Sequence, residues 1–132
     1  DSSYAPDARA RMVHLRNLLA RHEIDVANYY FRRGAYLAAV NRGRFVIENY
    51  QRSDATADAL AVMAHGYLLL EMPELAQPAI ETLALNYPDH PSLDRDGQFN
   101  PEQVADADES WINRASLGLF DPPTPPQFNY TP

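Results

Sequence analysis

The stretch Ala27-Asn-Tyr-Tyr-Phe-Arg-Arg-Gly-Ala-Tyr-Leu-Ala-Ala39 has a counterpart 37 residues later in Ala64-His-Gly-Tyr-Leu-Leu-Leu-Glu-Met-Pro-Glu-Leu-Ala76. Both place a small residue, a tyrosine and a second small residue at the same spacing. Small residues around an aromatic ring let two antiparallel helices pack closely, which is typical of helical-hairpin repeats. The repeat therefore predicts an all-α fold of two hairpins, and stacked hairpins of this kind usually bind other proteins.

The composition fits one compact domain or a few repeats. The chain has 132 residues, 45% of them hydrophobic, and no apolar run approaches the roughly 18 residues of a membrane span. It has no cysteine, so disulfides and thiolate metal sites are excluded. All eleven basic residues are arginines and the net charge is −7, which disfavours nucleic acid as a partner. Because the sequence begins at Asp1 without a signal peptide, we expect a processed chain or a fragment.

Apolar periodicity predicts one long helix over 7–33 and three shorter ones. In the long helix an apolar stripe follows alternating steps of four and three residues, namely Ala8, Met12, Leu15, Leu19, His22, Val26 and Tyr29. We expect this stripe to be the packed face, with its front half covered by something outside the two hairpins.

The shorter helices are expected at 36–50, 55–71 and from Pro73 to Asn86, since proline is tolerated in a first helical turn. The apolar face of the 36–50 helix is expected to carry Leu37, Val40, Phe45 and Ile47. The tyrosines at repeat-equivalent places are expected to be core aromatics, namely Tyr29, Tyr30, Tyr50, Tyr67 and Tyr87.

The pattern divides the chain into five segments. They are an N-terminal extension (1–6), the two hairpins (7–88), a loop (89–100), a C-terminal capping helix (101–118) and an extended, proline-rich tail (119–132). The capping helix follows from the start signal Asn100-Pro-Glu-Gln103. Its apolar members are Val104, Trp111, Ile112 and Ala115. A helix there would shield the open end of the second hairpin from water.

The two units resemble tetratricopeptide repeats, so the expected fold is a TPR helical-hairpin solenoid fragment. In the second unit the consensus positions hold Leu60, Met63, Ala64, Tyr67, Ala76, Ile80, Leu83 and Pro88. The first unit is degenerate, because Glu23, Gly43 and Gln51 stand where the consensus has other residues.

A more specific resemblance covers about residues 3–88. Three segments carry this resemblance. They are, in order, the segment from Tyr4 to Glu23, Val26-Ala-Asn-Tyr-Tyr30 and Arg33-Gly-Ala-Tyr-Leu-Ala-Ala-Val-Asn-Arg42. They closely resemble the last third of the BamD family, the tetratricopeptide lipoproteins of the outer-membrane β-barrel assembly machinery. The resemblance includes an Arg-Gly-Ala-aromatic turn and an Asn-Arg pair.

This resemblance implies a non-catalytic scaffold without a cofactor, acting at the periplasmic face of the outer membrane. It implies docking to the membrane-proximal POTRA domain of BamA and support for the folding and insertion of outer-membrane proteins. Other Bam lipoproteins are further candidate partners. Contact with the membrane is expected only through a lipid anchor that lies outside this chain.

Arg42 is the first candidate for a partner contact, because it matches the arginine of the family's Asn-Arg pair. The resemblance implies that this arginine reaches a POTRA carboxylate, and the planar guanidinium suits such a partner. The other candidates near the same hairpin are Asn41, Arg44, Arg33 and Tyr36. The alternative is that these residues form an ordinary solvated helix face. Leu37 is expected in the core.

The second functional reading is a generic TPR adaptor that binds an extended peptide in a groove lined by the first helix of each hairpin. A hydrolase or metalloenzyme is disfavoured, because the four histidines lie far apart and no H-E-x-x-H or G-x-S-x-G motif is present. Asp94-Arg-Asp-Gly97 resembles a calcium loop only faintly, since the other acidic ligands are misplaced. We therefore assign no catalytic and no metal-binding residue.

Overall fold

The computed structural model describes residues 5–102, which form four α-helices. They are α1 (Ala5–Arg32), α2 (Tyr36–Asn49), α3 (Thr56–Leu69) and α4 (Pro73–Asn86). The predicted all-α fold of helical hairpins is confirmed, and α1 begins two residues earlier than the pattern indicated. Residues 103–132, which hold most of the predicted capping helix and the whole tail, lie outside the described part. Within residues 5–102 no helix is both long enough and apolar enough to cross a membrane.

The helices pack in chain order, with α1 against α2, α2 against α3 and α3 against α4, and α1 also touches α3. Gly34 turns the chain between α1 and α2 with a φ of +73°, a left-handed conformation that favours glycine. Beside it the Ala35 N–H donates to Tyr30 O at 2.9 Å, a hydrogen bond that closes the C-terminal end of α1. The glycine therefore acts as the stop of α1.

Small residues form the contacts between neighbouring helices. Among residues 5–102, nine of the seventeen buried hydrophobic residues are alanines, and the larger members include Ile24, Val46 and Leu83. Gly43 of α2 lies so close to α3 that an added Cβ would stand 2.9 Å from Ala59 O. Position 43 departs from the repeat consensus because the crossing of α2 and α3 leaves no room for a side chain.

The packed face of α1 differs from the predicted one. The buried residues are Ala20, Ile24 and Ala27, whereas the predicted stripe is largely exposed, with Met12 71%, Leu15 57% and Leu19 45% accessible. His22, on the same stripe, is exposed too. α1 carries apolar residues on two faces, and periodicity does not distinguish which one the neighbouring helices cover.

Two further core expectations are wrong. Leu37 is 57% and Phe45 40% exposed on α2, because the face of α2 that meets its neighbours is built from Ala39, Val40, Gly43 and Val46. Among the repeat tyrosines Tyr67 is buried and Tyr30 and Tyr50 are half-buried, but Tyr29 and Tyr87 are exposed. Narrow helix spacing leaves these larger rings at the edge of the interface rather than inside it.

A polar network ties the loop after α4 back to α3 and α1. The His90 side chain is only 7% exposed, and its Nε2 lies 2.8 Å from the Asp58 carboxylate. Asp58 also pairs with Arg21. The Ser92 N–H donates to His90 Nδ1 at 3.2 Å, so the ring proton is on Nε2 and is donated to Asp58. Arg21 additionally donates to Asp54 O at 3.1 Å.

The loop also contains a turn that explains the faint calcium-like motif. The Asp94 carboxylate accepts hydrogen bonds from the backbone N–H of Asp96 at 2.9 Å and of Gln98 at 2.8 Å. This carboxylate is thus used to hold the turn. In the described part of the chain no cluster of acidic or histidine side chains has a metal-binding arrangement.

We expect Gly43→Ala to lower the free energy of unfolding by about 1–3 kcal/mol, the usual cost of overpacking. The new methyl group would press on Ala59 O and on Val62 and Met63 side-chain atoms 3.1 Å away, and a backbone oxygen inside a helix cannot move aside cheaply. Urea unfolding followed by circular dichroism measures the change. Glu48→Ala, on the exposed side of the same helix, is the control and should change stability little. Equal stability of the parent and Gly43→Ala would contradict the close crossing.

The ionisation of Asp58 should make the free energy of unfolding depend on pH. Burial of the Asp58 carboxylate raises its pKa. The hydrogen bond from His90 and the charge and hydrogen bond of Arg21 lower the pKa by more than burial raises it, so the pKa of Asp58 lies below its ordinary value. A carboxylate whose pKa is lowered by folding contributes stability that is complete above the unfolded-state pKa of about 3.9. That contribution is lost as the pH falls through the lower, folded-state pKa.

We therefore expect Asp58→Asn to cost about 1–3 kcal/mol at pH 7, because Arg21 and His90 lose a charged hydrogen-bond partner. The difference from the parent chain should narrow as the pH is lowered from about 5 to 3. Urea unfolding at a series of pH values measures it. Asp96→Asn, in the exposed part of the loop, is the control. A difference that stayed constant over this range would contradict a stabilising ionised Asp58.

Candidate protein-docking surface

The outward side of α2 forms an exposed ridge with apolar and polar side chains. Leu37, Asn41 and Phe45 follow one another at steps of four residues, which places them on one face of the helix. All three are exposed. We call this set, with the flanking Arg42 and Arg44, the α2 ridge.

Arg42 flanks the ridge on the side of α1. Its NH1 group donates to Glu23 Oε2 of α1 at 3.0 Å. The Glu23 side chain is only 15% exposed and that of Arg42 is 42% exposed. The hydrogen bond and the charge of Glu23 raise the pKa of Arg42 above its already high ordinary value. Arg42 is therefore a permanently charged group that is held in place by α1 and remains partly open to solvent.

Arg44 flanks the ridge on the opposite side, towards α3. Its NH2 group donates to the hydroxyl of Tyr67, a buried ring of α3. Side chains two residues apart on a helix point in nearly opposite directions. Arg42 and Arg44 therefore do not form one patch. They lie on the two sides of the ridge, and each is hydrogen-bonded to a neighbouring helix.

The hairpin turn carries a separate cationic group. Arg33 donates through Nε to the Tyr29 hydroxyl at 2.9 Å, and its guanidinium lies 5.2 Å from the centre of the same ring. Tyr36, at the start of α2, is half-buried and packs against Phe31, with ring centres 6.4 Å apart. Tyr36 therefore mainly supports the turn.

The five predicted site residues are thus distributed over two places. Arg42, Asn41 and Arg44 belong to the α2 ridge, whereas Arg33 and Tyr36 lie at the turn. Leu37 and Phe45 were missed as surface residues, since their apolar character predicted burial. The signal that could have identified them is the line of small residues Ala39, Gly43 and Val46, which marks the opposite face of α2 as the packed one.

The groove required by a peptide-binding TPR adaptor is not available on α3. From Thr56 to Tyr67 no residue of this helix is exposed. Leu93 and Phe99 of the following loop pack on the cluster that contains Leu60 and Ala61. The loop therefore covers part of the surface of α3.

Residues 1–83 match the family model YfiO, described as an outer membrane lipoprotein. The chain belongs to the YfiO outer membrane lipoprotein family. The match includes all of α1, α2 and α3, and with them every residue of the α2 ridge. The family resemblance predicted from the sequence is thereby confirmed.

Curated relatives in this family carry the name outer membrane protein assembly factor BamD. Those of Neisseria gonorrhoeae and Xylella fastidiosa are each 42% identical to this chain over 93 residues, which is 70% of the chain and 35% or 32% of the relative. That of Pasteurella multocida is 35% identical over 86 residues, 65% of the chain and 33% of the relative. The chain thus spans about a third of the length of the relatives it matches.

Proposed function

We propose that this YfiO-family chain is a non-catalytic scaffold of outer-membrane protein assembly and that its α2 ridge docks the membrane-proximal POTRA domain of BamA. The carrying observation is that Leu37 and Phe45 are exposed between two arginines that neighbouring helices hold in place. The relatives named outer membrane protein assembly factor BamD support a role in outer-membrane protein assembly. The expected location is the periplasmic face of the outer membrane, through a lipid anchor elsewhere in the protein.

The composition of the ridge fits a protein interface. Apolar anchors near the centre of an interface, surrounded by polar side chains, supply most of the binding energy. Leu37 and Phe45 would lose water on docking, and the carboxamide of Asn41 lies between them along the helix. A guanidinium that is already oriented loses less conformational freedom when it binds.

Arg42 is the proposed contact to an acidic residue of the partner. Glu23 accepts from the NH1 group of Arg42, and the Tyr30 hydroxyl also lies near the guanidinium. Because a guanidinium has five N–H donors, it can bind a second carboxylate as well. The chain as a whole is acidic, with a net charge of −7. A single cation on such an acidic surface determines where an acidic partner binds more than it raises the affinity. Other Bam lipoproteins remain candidate partners for surfaces outside the ridge.

We expect Arg42→Glu to weaken binding to a purified membrane-proximal POTRA domain by about tenfold or more, or about 1.4 kcal/mol. Isothermal titration calorimetry with the full chain measures it. Arg95→Glu makes the same charge change in the exposed loop after α4 and should leave binding almost unchanged. If neither substitution changes the affinity, the interface does not include Arg42. Absence of binding by a folded parent chain would reject the POTRA partner.

A charge swap separates docking from internal support. Arg42→Glu also removes the partner of Glu23, whereas the double variant Glu23→Arg, Arg42→Glu restores an ion pair between α1 and α2. If Arg42 contacts the partner, the double variant should recover thermal stability and still bind weakly. Recovery of both stability and affinity would assign Arg42 a structural role alone.

A further inference from the structure

The turn that follows α1 and the turn that follows α3 lie at the same end of the fold. Near the start of α3, Asp58 pairs with Arg21 of α1. Near the end of both helices, the rings of Phe31 and His65 lie 4.9 Å apart, centre to centre. α1 and α3 therefore run in the same direction, and the α1–α2 and α3–α4 turns are neighbours.

Both turns at this end carry exposed apolar or aromatic side chains. Tyr29, in the last turn of α1, is 45% exposed. At the α3–α4 turn, Leu68, Leu69 and Met72 are 41%, 42% and 43% exposed. The α2–α3 turn, at the opposite end, differs because it consists of the polar residues Gln51-Arg52-Ser53-Asp54. Apolar exposure is therefore not a general property of the turns in this fold.

Charged groups surround these apolar side chains. Arg32 and Arg33 are exposed beside Tyr29, and two glutamates, Glu71 and Glu74, are exposed at the α3–α4 turn. The Arg33 guanidinium lies 5.2 Å from the centre of the Tyr29 ring. Within residues 5–102 no carboxylate lies within ion-pair distance of either arginine. We call one set of residues the turn face, namely Tyr29, Arg32, Arg33, Leu68, Leu69 and Met72.

The position of the turn face leaves it open in a longer helical stack. Helical hairpins of a solenoid lie side by side and contact only their neighbours, so further hairpins before α1 would cover helix faces rather than turns. The loop after α4 packs, through Leu93 and Phe99, on the cluster that contains Leu60 near the start of α3. The described part of the chain therefore ends at the opposite end of the fold.

The chemistry of the turn face fits a phospholipid surface. Tyrosine is enriched where membranes meet water, because its ring is apolar and its hydroxyl is polar. The planar guanidinium of arginine binds phosphate through two parallel hydrogen bonds. Two arginines and two glutamates together suit a headgroup that carries both a phosphate and an ammonium group. The family is described as outer membrane lipoprotein, so such a surface is near the chain.

A second copy of the chain is a less suitable occupant. The arginines of one copy could meet the glutamates of the other, but the turn face is much smaller than the roughly 20–30 residues that each partner contributes to a stable interface. A membrane contact can be small. A protein that is already anchored to the membrane meets the lipid surface at a high effective concentration, so a weak contact is sufficient.

We propose that the turn face touches the phospholipid surface of the outer membrane, with its leucines and Met72 among the headgroups and with Arg32 and Arg33 on lipid phosphates. The sequence predicted membrane contact only through a lipid anchor. The turn face is a second and weaker contact, which orients the helical stack relative to the membrane. This proposal does not depend on the docking function of the α2 ridge, since the two sets of residues are separate.

The absence of native cysteine allows the contact to be located in the full chain. Leu69→Cys, Leu85→Cys and Met12→Cys each take one environment-sensitive fluorophore, and vesicles of phosphatidylethanolamine and phosphatidylcholine are added at millimolar lipid. We expect a blue-shifted emission, quenched by brominated acyl chains, for the label at position 69 only. The other two positions are controls, since Leu85 is exposed near the opposite end of α4 and Met12 is exposed at the front of α1.

Three results of this experiment would overturn the proposal. A shift at position 12 without one at position 69 would assign lipid binding to the front of α1. A shift at position 69 that appears without lipid and grows with protein concentration would assign the turn face to a second copy. Emission at position 69 that is the same with and without vesicles would show that the turn face does not touch lipid.

A matched pair of substitutions measures the apolar part of the contact. Leu69→Glu and Leu85→Glu make the same change at exposed positions towards the two ends of the fold. We expect Leu69→Glu to lower the vesicle partition constant about fivefold or more in co-sedimentation, because a charge replaces an apolar group that enters the headgroup layer. Leu85→Glu should leave it almost unchanged, and circular dichroism checks that both variants stay helical. Equal partitioning of two folded variants would contradict the proposed contact.

Discussion

The structure depends on the close approach of neighbouring helices at small residues. Alanine fills most of the buried apolar positions, and at Gly43 even a methyl group would meet Ala59 O at 2.9 Å. Close contact compensates for small side chains, because dispersion attraction requires atoms to touch across the whole interface. Each helix offers small buried residues to the next one in the chain.

The same constraint explains why large apolar residues are found outside. Leu37 and Phe45 cannot enter a contact built for Ala39 and Gly43, and they remain on the outer side of α2. Exposed large side chains that are held on a rigid helix are suitable anchors for a partner. A narrow core and exposed large apolar side chains are therefore two consequences of one packing geometry.

Arginines supply the polar links between elements. Arg21 joins α1 to the start of α3, Arg42 joins α2 to α1, and Arg44 joins α2 to α3. Each remains partly exposed, so the net contribution of each link to stability is modest. What these links do is fix the direction of a permanently charged side chain at the surface. In the proposed docking role, a partner would meet an ordered guanidinium rather than a mobile one.

The sequence by itself determined the helices, their approximate ends, the helical-hairpin class and the family, because periodicity, glycine stops and short words are local properties of the chain. It also pointed to Arg42 and Arg44, but not to their opposite directions or to their bonds with Glu23 and Tyr67. Only the tertiary structure decided which of the two apolar faces of α1 is covered, that Leu37 and Phe45 lie outside, and that His90 closes onto Asp58. These depend on which surfaces meet across sequence separations of up to 37 residues, and hydrophobicity alone does not encode that choice when more than one face is apolar.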